Sequence, residues 1–491
     1  MTNQRNTKQR HRASRQSAPR RKGKRTATPV RLELQQLKLD AAGIDIGSQE
    51  HYVAVPADRD PEPVRTFGSF TPDLHEMAAW LKQCRIKTVA MESTGVYWIP
   101  VFQILESHGF EVVLVNPRYV KNVSGRPTDV GDAQWLQQLH TYGLLSASFR
   151  PEDSMCVLRN YWRQRADLIQ CASRHVLHMQ KALSQMNVSL HLAISDITGV
   201  TGLRILNKIL LGERDPKTLA ELRDPRVKCS EETLVKALTG DYRTEHLFAL
   251  KQAFDLYLIY QEKVAECDRQ IAGHMATLES KLAPDAPPMP PSTKHKLKPR
   301  RNEPKFDLRA ELHRIAGVDL TQIDGLDVST IQTVISEIGT DMSRFPTEKH
   351  LGSWLGLSPY PQITGGKVVS SKTRKVANAA ADALRMAAQA LSRSDSALGA
   401  FYRRLRSRIG PPKANTATAY KLARLIYRGI KYGQTYIDEG ARYYDERYRK
   451  HILTHLARRA NQMGCTLIDT ETGAILGQNH ENLMRILPQN G

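Results

Sequence analysis

Four carboxylates have the type and order that metal-assisted phosphodiester chemistry needs. Asp45 lies inside an apolar strand pattern (GIDIGS), Glu92 directly follows another (KTVAM), and Asp129 and Asp132 stand three apart where a helical pattern begins. An i, i+3 pair shares one helix face. If the first and fourth strands are neighbours, Asp45 and Glu92 point at that same helix. Four converging carboxylates repel one another unless cations sit between them, and hard oxygen ligands suit Mg²⁺, with Mn²⁺ as the alternative ion. Two such ions about 4 Å apart are the usual device for attacking a phosphodiester. Taken singly, each acid has an ordinary role: Asp45 in a turn between Gly43 and Gly47, Glu92 as a helix cap, Asp129 and Asp132 as first-turn acids favoured by the helix dipole. Their joint placement favours the metal site.

The elements that must position them read as α/β. Short apolar runs at 41–47, 52–56 and 64–69 are followed by a helix near 73–84, a strand at 87–91, a helix near 96–108, a strand at 111–115 and a helix from about 130. A strand hairpin and third strand followed by alternating helices and strands predict a mixed sheet. Residues 154–282 show apolar residues at three- and four-residue steps and little strand pattern, a long coiled-coil-like helical region that pairs internally or with a second copy. Seven prolines between Pro284 and Pro304 stop helix and sheet alike. Beyond them, 310–345 reads as two short helices joined by a turn, 346–372 as loop-rich with Gly and Pro, and 375–392 and 412–432 as helices. The expected divisions are a basic arm at 1–38, an α/β catalytic domain at 39–150, the helical region at 151–283, a Pro-rich basic linker at 284–306, a mostly helical second domain at 307–460 and a tail at 461–491.

Charge indicates the partner. The 491 residues carry 71 Lys and Arg against 50 Asp and Glu, a net +21, which points to a polyanion, most simply nucleic acid. Residues 1–28 hold ten Lys/Arg and no acid, a composition that forms no core and reads as a disordered arm. The stretch 396–437 holds nine Lys/Arg, among them Arg403, Arg404, Arg406 and Arg408, and no acid. Phe401, Tyr402, Tyr420, Tyr427, Tyr432 and Tyr436 are interleaved with these charges, as on a surface where cations grip phosphate and rings stack on bases. The competing reading of the same tyrosines is a helix core. No run approaches a membrane span and the amino terminus lacks an apolar signal region, so a cytoplasmic protein is expected. Six scattered cysteines read as reduced thiols, and His451 and His455, i and i+4 without a third ligand, as surface residues.

The strand GIDIG, the segment MESTGVYW (Met91 to Trp98) and DVGDAQWL (Asp129 to Leu136) resemble the RuvC-like DEDD domain of the one-ten family of insertion-sequence transposases, in its eleven-eleven branch. DVSTIQTVISEIG, FPTEKHLGSWLGLSP, ITGGKVVSSKTRKVAN and ADALRMAAQAL, between Asp327 and Leu391, look like the family's carboxy-terminal transposase domain. The resemblance implies an RNase H-like mixed-sheet domain, a helical middle and a mostly helical second domain. It implies an enzyme that cuts and rejoins donor and target DNA, guided by a structured non-coding RNA encoded in the element and associated with the nucleoid when active. The four carboxylates would bind Mg²⁺, and a serine just before a Gly-Gly-Lys would hold a covalent 5′-phosphoserine intermediate. Active sites would be shared between subunits of a tetramer formed from dimers.

At that serine this chain departs from the family. The residue before Gly365, Gly366 and Lys367 is Thr364, whose methyl group crowds an attacking hydroxyl. Ser370 and Ser371, six and seven residues on, offer unhindered hydroxyls, although a helix cap before Lys372 would also use them. Lys367, Lys372, Arg374 and Lys375 would balance phosphate charge, and Gly365 and Gly366 would let backbone approach it. The turn near Gly325 weakly resembles a helix-hairpin-helix phosphate grip, with Asp327 in place of its second glycine. GIDIGS also resembles the phosphate loop of actin-like sugar kinases, but the second α/β domain such kinases need is absent from the pattern. A RuvC-like junction nuclease using water, or a non-catalytic nucleic-acid binder, would account for many of the same residues. Mg²⁺-dependent cleavage separates the binder, and a protein–DNA adduct separates the nuclease.

Overall fold

In the computed structural model the described residues are 35–93, 95–116, 129–285, 288–289, 291, 301–470 and 473–476. The basic arm, apart from its last residues, most of the Pro-rich linker and most of the tail therefore lie outside them. The chain divides into two compact units, one through Arg150 and one from Pro151 onward.

The first unit is built on a five-stranded mixed sheet of order β3-β2-β1-β4-β5. Its strands are β1 (Ala41–Ile46), β2 (Glu50–Ala54), β3 (Val64–Gly68), β4 (Thr88–Glu92) and β5 (Glu111–Val115). β1, β2 and β3 pair antiparallel, while β1, β4 and β5 run parallel, so the first and fourth strands are neighbours, the arrangement on which convergence of the carboxylates depends. Strand alternation splits the sheet into two faces. Ala42, Ile44, Val89 and Met91 join Leu74, Met77 and Leu81 of helix α1 (Thr71–Gln83) and Val101 and Leu105 of α2 (Trp98–Ser107) in one core cluster. Ala90, Val113 and Val115 turn the other way, onto Leu136 and Leu139 of α3 (Asp129–Thr141).

Gly43 is what lets α3 lie so close to β1. A Cβ there would stand 2.3 Å from the Gln137 nitrogen and 2.4 Å from the Ala133 oxygen, so only glycine fits between strand and helix. The other end of the helix is tied to the chain before β1, where the backbone nitrogens of Leu37 and Lys38 donate to the Thr141 oxygen at 2.9 and 3.0 Å. Together these contacts run α3 antiparallel to β1.

One buried side chain in this layer carries a pH dependence. His140, 2% exposed, holds a 2.8 Å hydrogen bond between Nε2 and Thr88 Oγ1. Burial, assisted by nearby Lys38, pushes its imidazole down to about 4. An unfolded histidine titrates near 6.5, so between about pH 6.5 and 4 the unfolded chain takes a proton that the folded one refuses. Stability is then fully present above pH 6.5 and falls on acidification, by about 3 kcal/mol from this residue once pH 4 is reached. Thermal unfolding at pH 7 and pH 4.5 should show a smaller acid-induced drop in His140→Gln than in the parent; equal drops would refute the assignment.

In the second unit, α4 (Asp153–Gln185) and α9 (Thr244–Thr277) pair antiparallel with each other. His274 Nε2 meets the Ser154 oxygen at 2.7 Å, and the buried Arg165–Asp268 pair joins the helices further along. Between them the chain forms α5 (Leu190–Ala193), α6 (Val200–Leu210), α7 (Pro216–Ala220) and α8 (Glu231–Leu238), whose Leu206, Leu219 and Leu234 share a core with Leu183 and Phe254. The rest comprises α10 (Leu308–Ala316), α11 (Val328–Ile338), α12 (Glu348–Trp354), a hairpin of β6 (Gln362–Thr364) and β7 (Lys367–Ser370), α13 (Ala379–Ala390), α14 (Ala397–Ile409), α15 (Pro411–Tyr432) and α16 (Gly440–Gln462).

Residues 346–372, expected to be loop-rich, hold the short α12 and the hairpin with loops between them. Two expectations need correction here. No helix begins at Lys372: the next starts at Ala379, with Asn378 Oδ1 accepting from the Ala380 and Ala381 nitrogens, so Ser370 and Ser371 cap nothing. Tyr402 and Tyr427 belong to the core rather than to a binding surface; the Tyr427 hydroxyl donates to the Phe345 oxygen at 2.9 Å. In addition, Asp327 is the N-cap of α11, accepting from the Thr330 nitrogen at 2.7 Å, which accounts for an acid at that turn without a phosphate. Among the described residues no helix is long and apolar enough to cross a membrane.

Candidate carboxylate and hydroxyl sites

The β1–β4 register, with Ile44 opposite Met91, puts Asp45 opposite Glu92 one step further on. Ile44 and Met91 point to the α1–α2 side, so alternation turns Asp45 and Glu92 to the face that α3 covers. From Gly43 to Asp45 the strand advances about 7 Å, and from Gln137 back to Asp132 the helix advances about 7.5 Å in the same direction. The first turn of α3 therefore lies over the strand ends that carry Asp45 and Glu92. Glu92 is 7% exposed, and Asp45 and Asp132 are half-buried.

Thus three expected acids share one face. Among the described residues no three Asp, Glu, His or Cys side chains are gathered closely enough to hold a metal ion, and the side chain of Asp129 lies outside the described set. The available donors are all hard oxygens, which matches Mg²⁺ or Mn²⁺ and argues against a soft ion.

The hydroxyl candidates occupy the β6–β7 hairpin. Thr364 pairs with Lys367 across a two-residue turn in which Gly365 and Gly366 have φ of +57° and +75°, the conformation that tight hairpins demand and that glycine adopts without strain. Nothing lies within 4 Å of where either Cβ would stand, so the turn is open to a large approaching ligand. Thr364 is exposed at this tip. Ser370 and Ser371 sit at the root, and Ser370 Oγ accepts only a long 3.4 Å bond from the Lys372 nitrogen.

The expected cations separate into groups. Lys367 is exposed beside the turn, whereas Lys372 and Lys375 line a pocket of about 1210 Å³ at the hairpin root. Arg374 is engaged by the Ser353 oxygen at 2.5 Å, and Arg403 by the Ser394 oxygen at 2.5 Å. Arg404 stacks 3.4 Å above the Tyr448 ring, while Arg403, Arg406 and Arg408 are exposed on α14, the last two without the Ser394 contact. Lys413, Tyr420, Lys421, Arg424 and Arg428, all within the basic aromatic stretch 396–437 but not singled out there as a pocket, complete the lining. Tyr420, Arg424 and Arg428 recur at four-residue steps along α15, which places them on one helix face.

A mixed sheet whose central parallel strands end in carboxylates beneath a helix is consistent with an RNase H-like domain, followed here by a mostly helical unit. Comparison with known families gives this class a specific direction. Residues 42–188 match a DEDD-type IS110 model described as a transposase, and residues 319–403 match the model of the transposase IS116/IS110/IS902 family. No curated protein matches the chain. Two transposase domains in one chain support an IS110-family transposase, acting on DNA as a transposase or recombinase.

Proposed function

We propose that the protein is an RNA-guided recombinase of the eleven-eleven branch, which cuts and rejoins donor and target DNA through a covalent protein–DNA intermediate. The observation that carries the metal half is the side-by-side placement of Asp45 and Glu92 under the first turn of α3. In this reading Asp45, Glu92, Asp129 and Asp132 hold Mg²⁺, which when bound supplies charge neutralisation and polarisation of the phosphodiester.

The chain's own part is nucleophilic displacement. A hydroxyl of the β6–β7 hairpin attacks phosphorus, forming a protein O–P bond as the P–O3′ bond breaks. The hydroxyl proton is lost and the departing 3′ oxygen gains one, so a 5′-phosphoryl adduct and a free 3′-hydroxyl result. Attack by the new strand's 3′-hydroxyl reverses these changes. Thr364 at the open tip is the first choice of nucleophile, with Ser370 and Ser371 next. The tip's exposure suits an active site assembled between subunits, and base pairing by the guide would read sequence that no side chain needs to read.

The central test is Mg²⁺-dependent strand exchange by the full chain with its RNA on donor and target duplexes; binding without cleavage under all metal conditions would refute the reading. Deleting residues 1–28 should weaken nucleic-acid binding and flatten its salt dependence, because every phosphate that is no longer neutralised takes close to one unit off the slope of log K against log salt. Titration at several salt concentrations checks this, and an unchanged slope would make the arm a bystander.

A further inference from the structure

The pocket at the hairpin root has features that the displacement chemistry does not require. Its floor is apolar, formed by Leu405, Ile409 and Leu425 beside the half-buried Tyr420. At about 1210 Å³ it is far larger than a phosphate needs. Its lining includes six cations and no acid. Two of these, Arg424 and Arg428, share the single carboxylate of Glu348, the second at 2.5 Å, so one positive charge of the pair is left over. Lys421 is held inside the wall, its ammonium 4.4 Å from the centre of the Phe401 ring, and burial beside Arg404 and Arg424 lowers its pKa. An arriving anion would relieve that crowding.

Tyr420 is fixed in place. A Cβ at Gly352 of α12 would stand 2.1 Å from Tyr420 Cε2, so the ring lies flush against the helix backbone where any other residue would displace it. A rigid ring on an apolar floor beneath a cationic rim is the combination that binds single-stranded nucleic acid, with stacking below and phosphate contacts above.

We propose that this pocket takes an unstacked nucleotide of the DNA strand presented to the hairpin hydroxyls, its base against Tyr420 and its phosphates toward Lys372, Lys375 and Lys413. The assignment rests on the DNA-recombinase reading. It also follows from reach: β7 spans about 10 Å from Lys367 to Ser370, so a strand attacked at the hairpin passes the pocket mouth.

Single-stranded DNA 20-mers carrying 2-aminopurine at successive positions test this with the full chain. Emission at one or a few positions should fall on binding, as the probe stacks on the ring. Tyr420→Phe should retain the fall, whereas Tyr420→Ala should lose it and bind roughly tenfold more weakly. Lys413→Gln should reduce the salt slope by about one. Binding with unchanged emission at every position, or a fall that persists in Tyr420→Ala, would overturn the pocket while leaving the recombinase reading intact. An RNA strand of the same sequence that quenches more deeply than DNA would overturn the assignment to DNA. Failure to bind any strand at low salt would overturn the recombinase reading and this proposal with it.

Discussion

Asp45→Ala or Glu92→Ala should reduce strand cleavage by more than about 100-fold, since removing only an outer partner of a metal ligand already costs 10- to 100-fold. Binding of RNA and DNA should stay close to that of the parent, because both acids lie on the face covered by α3 rather than among the basic residues. Asp129→Ala and Asp132→Ala should behave alike. Cleavage of a pre-assembled substrate over a Mg²⁺ titration, with a parallel binding assay, separates the two effects. Full activity in the Asp45 and Glu92 variants would end the carboxylate assignment. Asp45→Asn is the control for folding, since it preserves shape on the strand while removing the charge that a cation needs.

Thr364→Ala should eliminate the covalent protein–DNA adduct, and Thr364→Ser should retain it, since serine keeps the hydroxyl and removes only the crowding methyl group. Ser370→Ala should be mild: the 3.4 Å bond that its Oγ accepts is worth at most about 1 kcal/mol. Peptide mapping of an adduct trapped with the protein, its RNA, Mg²⁺ and a nicked substrate decides among the three hydroxyls. If the adduct survives in Thr364→Ala and disappears in Ser370→Ala or Ser371→Ala, the nucleophile lies at the hairpin root. An active enzyme that never forms an adduct would be using water, and a nuclease mechanism would replace the hydroxyl one.

The strands of the five-stranded sheet are legible because their signals are local. Val112–Val115 is a continuous apolar run, as a parallel strand covered on both faces requires, whereas the meeting of β1 and β4 is a long-range pairing that enters the sequence reading only as a condition. The hairpin escapes a loop-rich reading of 346–372 because β6 has only three residues, yet a Gly-Gly pair between Ile363 and Val368 is a two-residue turn signature. The tyrosines show a different limit. Tyr420 and Tyr427 are seven residues apart on one helix, yet one lines a pocket and the other is 1% exposed with its hydroxyl bonded to Phe345. That choice depends on α12 and the Phe345 carbonyl, some 70 to 80 positions upstream, which no local pattern contains. The pocket was invisible for the same reason, being assembled from the hairpin, α14 and α15.

The hairpin also bears on how the protein behaves when made in excess. β6 and β7 have no third strand among the described residues, and Ile363, Val368 and Val369 are all exposed on them. A two-stranded ribbon is marginally stable alone, and its open edges offer unpaired backbone groups beside apolar side chains, the combination that recruits another chain. Charged Lys367 at the turn is only a partial gatekeeper. Aggregation through this ribbon is therefore the expected fate of protein accumulated without nucleic acid, and solubility should depend on keeping the two together.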